Sequence, residues 1–233
     1  MIGGLSSGVV VGIENWLALD QDVFAEGAVG LALSGDISFE SVVSQGCRPI
    51  GEPLVITKAE GNVLYEVAGT PVLETLGALY EKLSARDRAL AKHSLFVGIV
   101  MDESRQQFTR GDFLIRNIMD VDYEKGNLVI GEMLQPGQTL QFQIRDAKTA
   151  EEDLQHLLAG LQEKQGSLAR GAILVSCCGR GKELFKETNH DVRIIQALKG
   201  PVPLTGFFAN GEFGPIDRKN YIHGYTSSLT IVT

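Results

Sequence analysis

Residues 172–185 read AILVSCCGRGKELF, and the organisation of the chain follows from this stretch. Ala172 to Ser176 is apolar with β-branched Ile173 and Val175, which predicts a buried strand. It runs into Cys177-Cys178-Gly179-Arg180-Gly181, and Lys182 opens a short helical stretch. Glycines on both sides of Arg180 predict a sharp turn with positive φ and clustered N–H groups, a cradle for an anion. Arg180 would add a bidentate fork for a carboxylate or phosphate. Two known phosphate motifs are excluded. Ser176 and Glu183 occupy the first and last positions that a Walker loop reserves for Gly and Ser/Thr, and Leu184 stands where a dinucleotide fingerprint needs its third glycine.

Outward from this centre the pattern alternates between strands and helices. Val9 to Ile13 and Ala28 to Leu33 are apolar runs, and Ile37 to Gln45 is a strand candidate, which together predict an opening β meander. Leu54 to Thr57 and Val63 to Val67 flank Lys58 to Asn62 as a hairpin. Thr70-Pro71 reads as a helix start, with Val72, Leu76, Leu79, Tyr80 and Leu83 on one face. Ser84 with Asp87 predicts a second short helix, and Leu95 to Met101 a buried strand. Between Phe113 and Asp146, turns at Glu124–Asn127 and Gln135–Gln138 separate strands. The last of them alternates Leu140, Phe142 and Ile144 with Gln141, Gln143 and Arg145, giving a polar face expected to line a groove. Thr149 and Glu152 form a capping box for a helix ending at Gly166. Asn189 is the expected N-cap of His190 to Lys199. Leu204 to Ala209 and Ser227 to Val232 are strands, with Asn210 to Pro215 a tight loop. The expectation is an α+β fold of mixed, mostly antiparallel sheets with flanking helices, with two related α/β modules as the alternative.

Composition narrows function by exclusion. The 233 residues carry a formal charge of −8, which disfavours nucleic acid or an anionic membrane as the main partner. No apolar run reaches the roughly 20 residues that span a bilayer, and the first residues lack the basic start of a secretion signal. Three cysteines, two of them adjacent, make no disulfide framework and fit a reducing, cytoplasmic setting. No Cys-x-x-Cys or His-x-x-x-His spacing supports a metal site, and no cofactor motif is present. The residues whose chemistry suits a small polar ligand are Cys47 and Arg48, Cys177 to Gly181, Asn210, Glu212, His223 and Tyr225. A carboxylate would be met by Arg180, Arg48 or loop N–H groups, and an ammonium by Glu212 with the Asn210 and Tyr225 oxygens. A competing reading makes Cys177, Cys178 or Cys47 a reactive thiol beside a cation or a base. A third, a protein-binding scaffold, would show an exposed apolar patch.

Five segments carry a resemblance. SCCGRG at 176–181, NHDV at 189–192, GFFANGEFGP at 206–215, HGYT at 223–226 and QGCRPIG at 45–51 resemble motifs of the FIST sensory domains. The resemblance implies residues 1–69 as part of the family's N-terminal module and 70–233 as its C-terminal module. That N-terminal module ordinarily begins well before a Gly-Gly-Leu-Ser-Ser-like segment, so its first part is expected to be missing. The resemblance further implies a noncatalytic cytoplasmic signal-input domain that binds small ligands such as amino acids. No output domain is legible, so a signalling partner protein is expected.

Overall fold

The computed structural model describes residues 1–7, 14–161, 169–216 and 219–233. The strand expected at Val9 to Ile13 and the helix end at Gly166 lie outside these. The fold is α+β, and the described residues form two compact units, Gln45–Ala150 and the combination of Met1–Ser44 with Glu151–Thr233.

Gln45–Ala150 is built on antiparallel pairing. Its strands run Asn127–Ile130, Phe113–Asp122, Leu95–Val100, Thr139–Arg145, Leu54–Glu60, Val63–Val67, and Val63–Val67 also pairs with Asn127–Ile130, so the ring of pairings closes. Closure removes exposed strand edges. It also explains why Thr139–Arg145 is buried along its whole length. The groove face expected for Gln141, Gln143 and Arg145 is therefore packed against protein: Gln141 Nε2 donates to Gly51 O at 2.6 Å. Leu64, Leu128, Ile130, Leu140 and Ile144 form the fully buried core of this unit. The hairpin is present as Leu54–Glu60 and Val63–Val67, its strands reaching further into the expected turn. Thr70 does not cap the following helix. Thr70–Pro71 is a short strand against Val67 and Glu66, and Pro71 is the N-cap of Val72–Lys82. Ser84 caps Ala85–Ala91 as expected, accepting from Asp87 N.

The other unit centres on a four-stranded sheet in the order Leu204–Ala209, Gly171–Cys177, Ser227–Val232, Phe39–Ser44. Gly171–Cys177 runs parallel to Leu204–Ala209 and antiparallel to Ser227–Val232. Its alternate residues point to opposite faces. Ala172 and Leu174 join Leu154, Leu158 and Ile195 from helices Ala147–Gly160 and His190–Lys199 in one core. Asp146, not the Thr149–Glu152 box, serves the start of the first of these helices, accepting from Thr149 N at 2.8 Å. On the other face lies a three-stranded sheet, Gly3–Gly4, Glu212–Ile216 and Lys219–His223. The contact is close, since a Cβ at Gly4 would come within 2.7 Å of Val175 and one at Gly214 within 2.5 Å of Val43. Residues expected as the loop 210–215 thus supply a strand from Glu212 onward. Of the meander expected at the start, Ile37 to Gln45 supplies the strand Phe39–Ser44, whereas Ala28 to Leu33 forms none: residues 25–38 contain no strand, and Leu17–Leu19 pairs with Asp22–Phe24.

Candidate functional site

Ser176 and Cys177 are neighbours that face opposite sides of the sheet, and each begins a separate polar cluster. On the helix side, the chain leaves Cys177, turns through Gly179 and Gly181, and forms the four-residue helix Lys182–Phe185. The turn does not use positive φ at either glycine: Gly181 has φ −62°, and Gly179 is outside the left-handed region as well. The left-handed positions are Lys186 at φ 60° and Asn189 at φ 58°. Arg180 is turned inward and fully buried.

There it meets Asp191 from the first turn of His190–Lys199. Arg180 Nε donates to Asp191 Oδ2 at 2.9 Å and Nη2 to Oδ1 at 3.1 Å. The forked clamp expected of Arg180 exists, and its carboxylate comes from the protein itself. Ser176 Oγ also donates to Oδ2, at 3.2 Å, and His190 Nδ1 lies 3.2 Å from Oδ1. Burial alone would raise the Asp191 carboxyl, but the Arg180 charge and hydrogen bonds, with help from His190, hold it below its ordinary value. An ionised carboxylate only accepts, so His190 Nδ1 carries the proton of that contact. Phe185 holds the layer together: its ring stacks on His190 at 3.5 Å between centroids and 7° between planes, and the guanidinium carbon of Arg180 sits 5.5 Å from its centroid.

This layer walls a cavity of about 610 Å³. The rest of its lining comes from the loop Glu187 to Asn189, the start of helix His190–Lys199, and Leu204 to Phe208 of the parallel strand. Arg180 Nη1, the guanidinium nitrogen outside the Asp191 fork, is buried without a hydrogen-bond partner. The first N–H groups of a helix have no partner within it, and the Asn189 side chain does not cap them. Gly206, also in the lining, could be no other residue, because a Cβ there would lie 1.8 Å from Leu174 O.

The second cluster occupies the opposite face. Glu212 is fully buried and accepts from Thr226 N at 3.1 Å, Thr226 Oγ1 at 2.7 Å and Gly211 N at 3.2 Å. Burial pushes its carboxyl above the ordinary value against these bonds and one from Cys177. His223, opposite Glu212 in the strand pairing, has Nε2 3.0 Å from Gly214 O. Tyr225, two residues further on, adopts φ 63°, and Asn210 is exposed. Cys177 is buried and Cys178 exposed, its sulfur 4.0 Å from Ser7 Oγ.

Of the residues expected at a ligand site, Arg180 and Gly181 line the cavity; Cys177, Glu212 and His223 gather on the other face of the sheet. Arg180 and Glu212 are thus not brought around one ligand. Cys47 and Arg48 belong to the Gln45–Ala150 unit, where Cys47 is buried and Arg48 pairs with Asp87. Asp191, Phe185, Ser176 and Gly206 also line the cavity and were not expected there. The available signal was the pair of opposite charges, Arg180 and Asp191, on consecutive elements.

An α+β fold that sets polar and apolar side chains around a cavity partly open to solvent has the features of a ligand-receiving module. Family models for the FIST N domain and the FIST C domain match residues 1–70 and 73–215. The chain belongs to the FIST family, whose domains are sensory domains of signal transduction. It is 42% identical over 231 residues to the uncharacterized protein Mb0898c of Mycobacterium bovis and 40% identical to the uncharacterized protein MT0656 of Mycobacterium tuberculosis. Those alignments take in 99% of this chain and 60% of each relative. Both family regions contribute residues to both compact units. No helix among the described residues is long and apolar enough to cross a membrane.

Proposed function

We propose that the cavity walled by Arg180 and the start of helix His190–Lys199 is the sensor site, and that it receives a small carboxylate such as an amino acid or its relatives. The observation that carries this reading is Arg180 itself. It lines the cavity, oriented by Asp191 and Phe185, and its Nη1 is buried without a hydrogen-bond partner. A buried donor without a partner costs about 1–3 kcal/mol, and a ligand carboxylate would satisfy it. The helix N-terminus favours the same charge. The cavity volume falls in the range of about 300–1,000 Å³ typical of small-molecule sites. In this reading the domain acts in the cytoplasm, and a signalling protein reads the bound state.

Thermal unfolding against amino acids and monocarboxylates tests it. A ligand that binds only the folded state adds about 2.7 kcal/mol at a hundredfold excess over its Kd. The shift should vanish in Arg180→Lys, which keeps the charge but removes the fork that Asp191 orients. A shift of unchanged size in that variant would defeat the proposal.

A further inference from the structure

We infer that the cavity selects carboxylates with an apolar body and no α-amino group, such as arylalkanoates and branched alkanoates, over the corresponding amino acids; this rests on the sensor-site reading above. An amino acid brings its ammonium next to its carboxylate, so a site that holds it needs a second carboxylate with acceptor capacity to spare. Two acidic residues line the cavity, Asp191 and Glu187.

Asp191 has none to give. A carboxylate offers about four acceptor positions, two on each oxygen. Oδ2 takes Arg180 Nε and Ser176 Oγ, and Oδ1 takes Arg180 Nη2 and His190 Nδ1. Glu187, in the loop before the helix, is a partly exposed side chain paired through one oxygen with Arg193, so any contact it offers an ammonium is screened by water and shared with that guanidinium. The buried Glu212 carboxyl sits on the other face of the sheet among Thr226, Gly211 and Cys177.

What remains for an ammonium is neutral oxygen from residues such as Thr188, Asn189 and Thr205, while Arg180 and Lys182 supply positive charge to the same lining. Neutral acceptors compensate only part of the cost of taking an ammonium from water. The rest of the wall is apolar, with Leu174, Val192, Leu204, Phe185, Phe207 and Phe208. Phe208, opposite Ser176 in the parallel pairing, is about half exposed, so a bound hydrocarbon would cover ring surface that is otherwise in water.

Calorimetric titration of the whole chain with matched probes decides the matter: 3-phenylpropionate against L-phenylalanine, 4-methylpentanoate against L-leucine, and 3-phenylpropionamide as the uncharged control. The expected result is at least tenfold tighter binding of each acid than of its amino acid, with no measurable binding of the amide. Equal or tighter binding of the amino acids, lost in Arg180→Lys, would overturn the selectivity and leave the carboxylate site standing. Amide and acid binding alike, or no binding of any carboxylate, would overturn both.

Discussion

Arg180 and Asp191 are each buried with the other as charge partner, and the stability of the site turns on keeping both. Removing one partner of such a pair costs about 3–5 kcal/mol, because the survivor is left charged and uncompensated. Arg180→Gln should therefore lower the unfolding free energy in urea by that amount, whereas Arg180→Met combined with Asp191→Leu should recover most of it. The same reasoning fixes two opposite pH dependences. The Asp191 carboxyl is lowered in the folded protein, so its stabilisation is present above the ordinary Asp value of about 3.9 and is lost as pH falls through the lowered value. Glu212 is raised. Its contribution is present below the ordinary Glu value of about 4.3 and is lost as pH rises through the raised value. Replacing Glu212 with Gln should accordingly change stability in the variant's favour between pH 4 and pH 7, measured as the difference in urea midpoints; a difference independent of pH would refute the assignment. For the thiols, burial sets reactivity. Native alkylation should label Cys178 quickly and Cys47 and Cys177 slowly, as peptide mass mapping would show. Fast labelling of Cys177 would favour the competing reading of a reactive thiol.

At the scale of elements, the segment Lys182–Asn189 is one place where backbone strain gathers. Two non-glycine residues, Lys186 and Asn189, hold left-handed φ within four positions. That conformation costs roughly 1–2 kcal/mol for a residue with a Cβ, offset in part by the greater chain entropy that glycine loses on folding. Lys186→Gly should raise the melting stability by about 0.5–1 kcal/mol. Gly206→Ala should do the reverse and far more strongly, since the new carbon would overlap the Leu174 carbonyl. Element type was largely legible from periodicity: the strand at Gly171–Cys177, the helix His190–Lys199 and the hairpin strands all form where apolar spacing places them. The failures were at ends and edges. Thr70 and Thr149 have the side chains of helix caps, yet Pro71 takes the cap position in one case and the Asp146 side chain serves the first turn in the other. Local propensity is weak enough for strand pairing or a better acceptor to override it.

For the whole molecule, each unit has its own core. Truncating a fully buried residue such as Leu128 or Ile195 to Ala should cost about 2–5 kcal/mol. Ligand addition should slow amide exchange across residues 174–208, where the cavity lining lies. The amino-acid sequence by itself determined the class of the fold, the strand and turn around Arg180, and the family, because these depend on residues close in the chain: apolar period, glycine placement and short ordered motifs. Only the tertiary structure decided which candidates share a site. Whether Arg180 faces a ligand or Asp191, and whether Glu212 stands beside Arg180 or behind a sheet, depends on strand order and on the alternation of faces. Ser176 and Cys177 are adjacent in sequence, but the period of two along a strand sends one to Asp191 and the other to Glu212. No local pattern encodes that separation, since it arises only when two sheets and a helix close on the same strand from opposite sides.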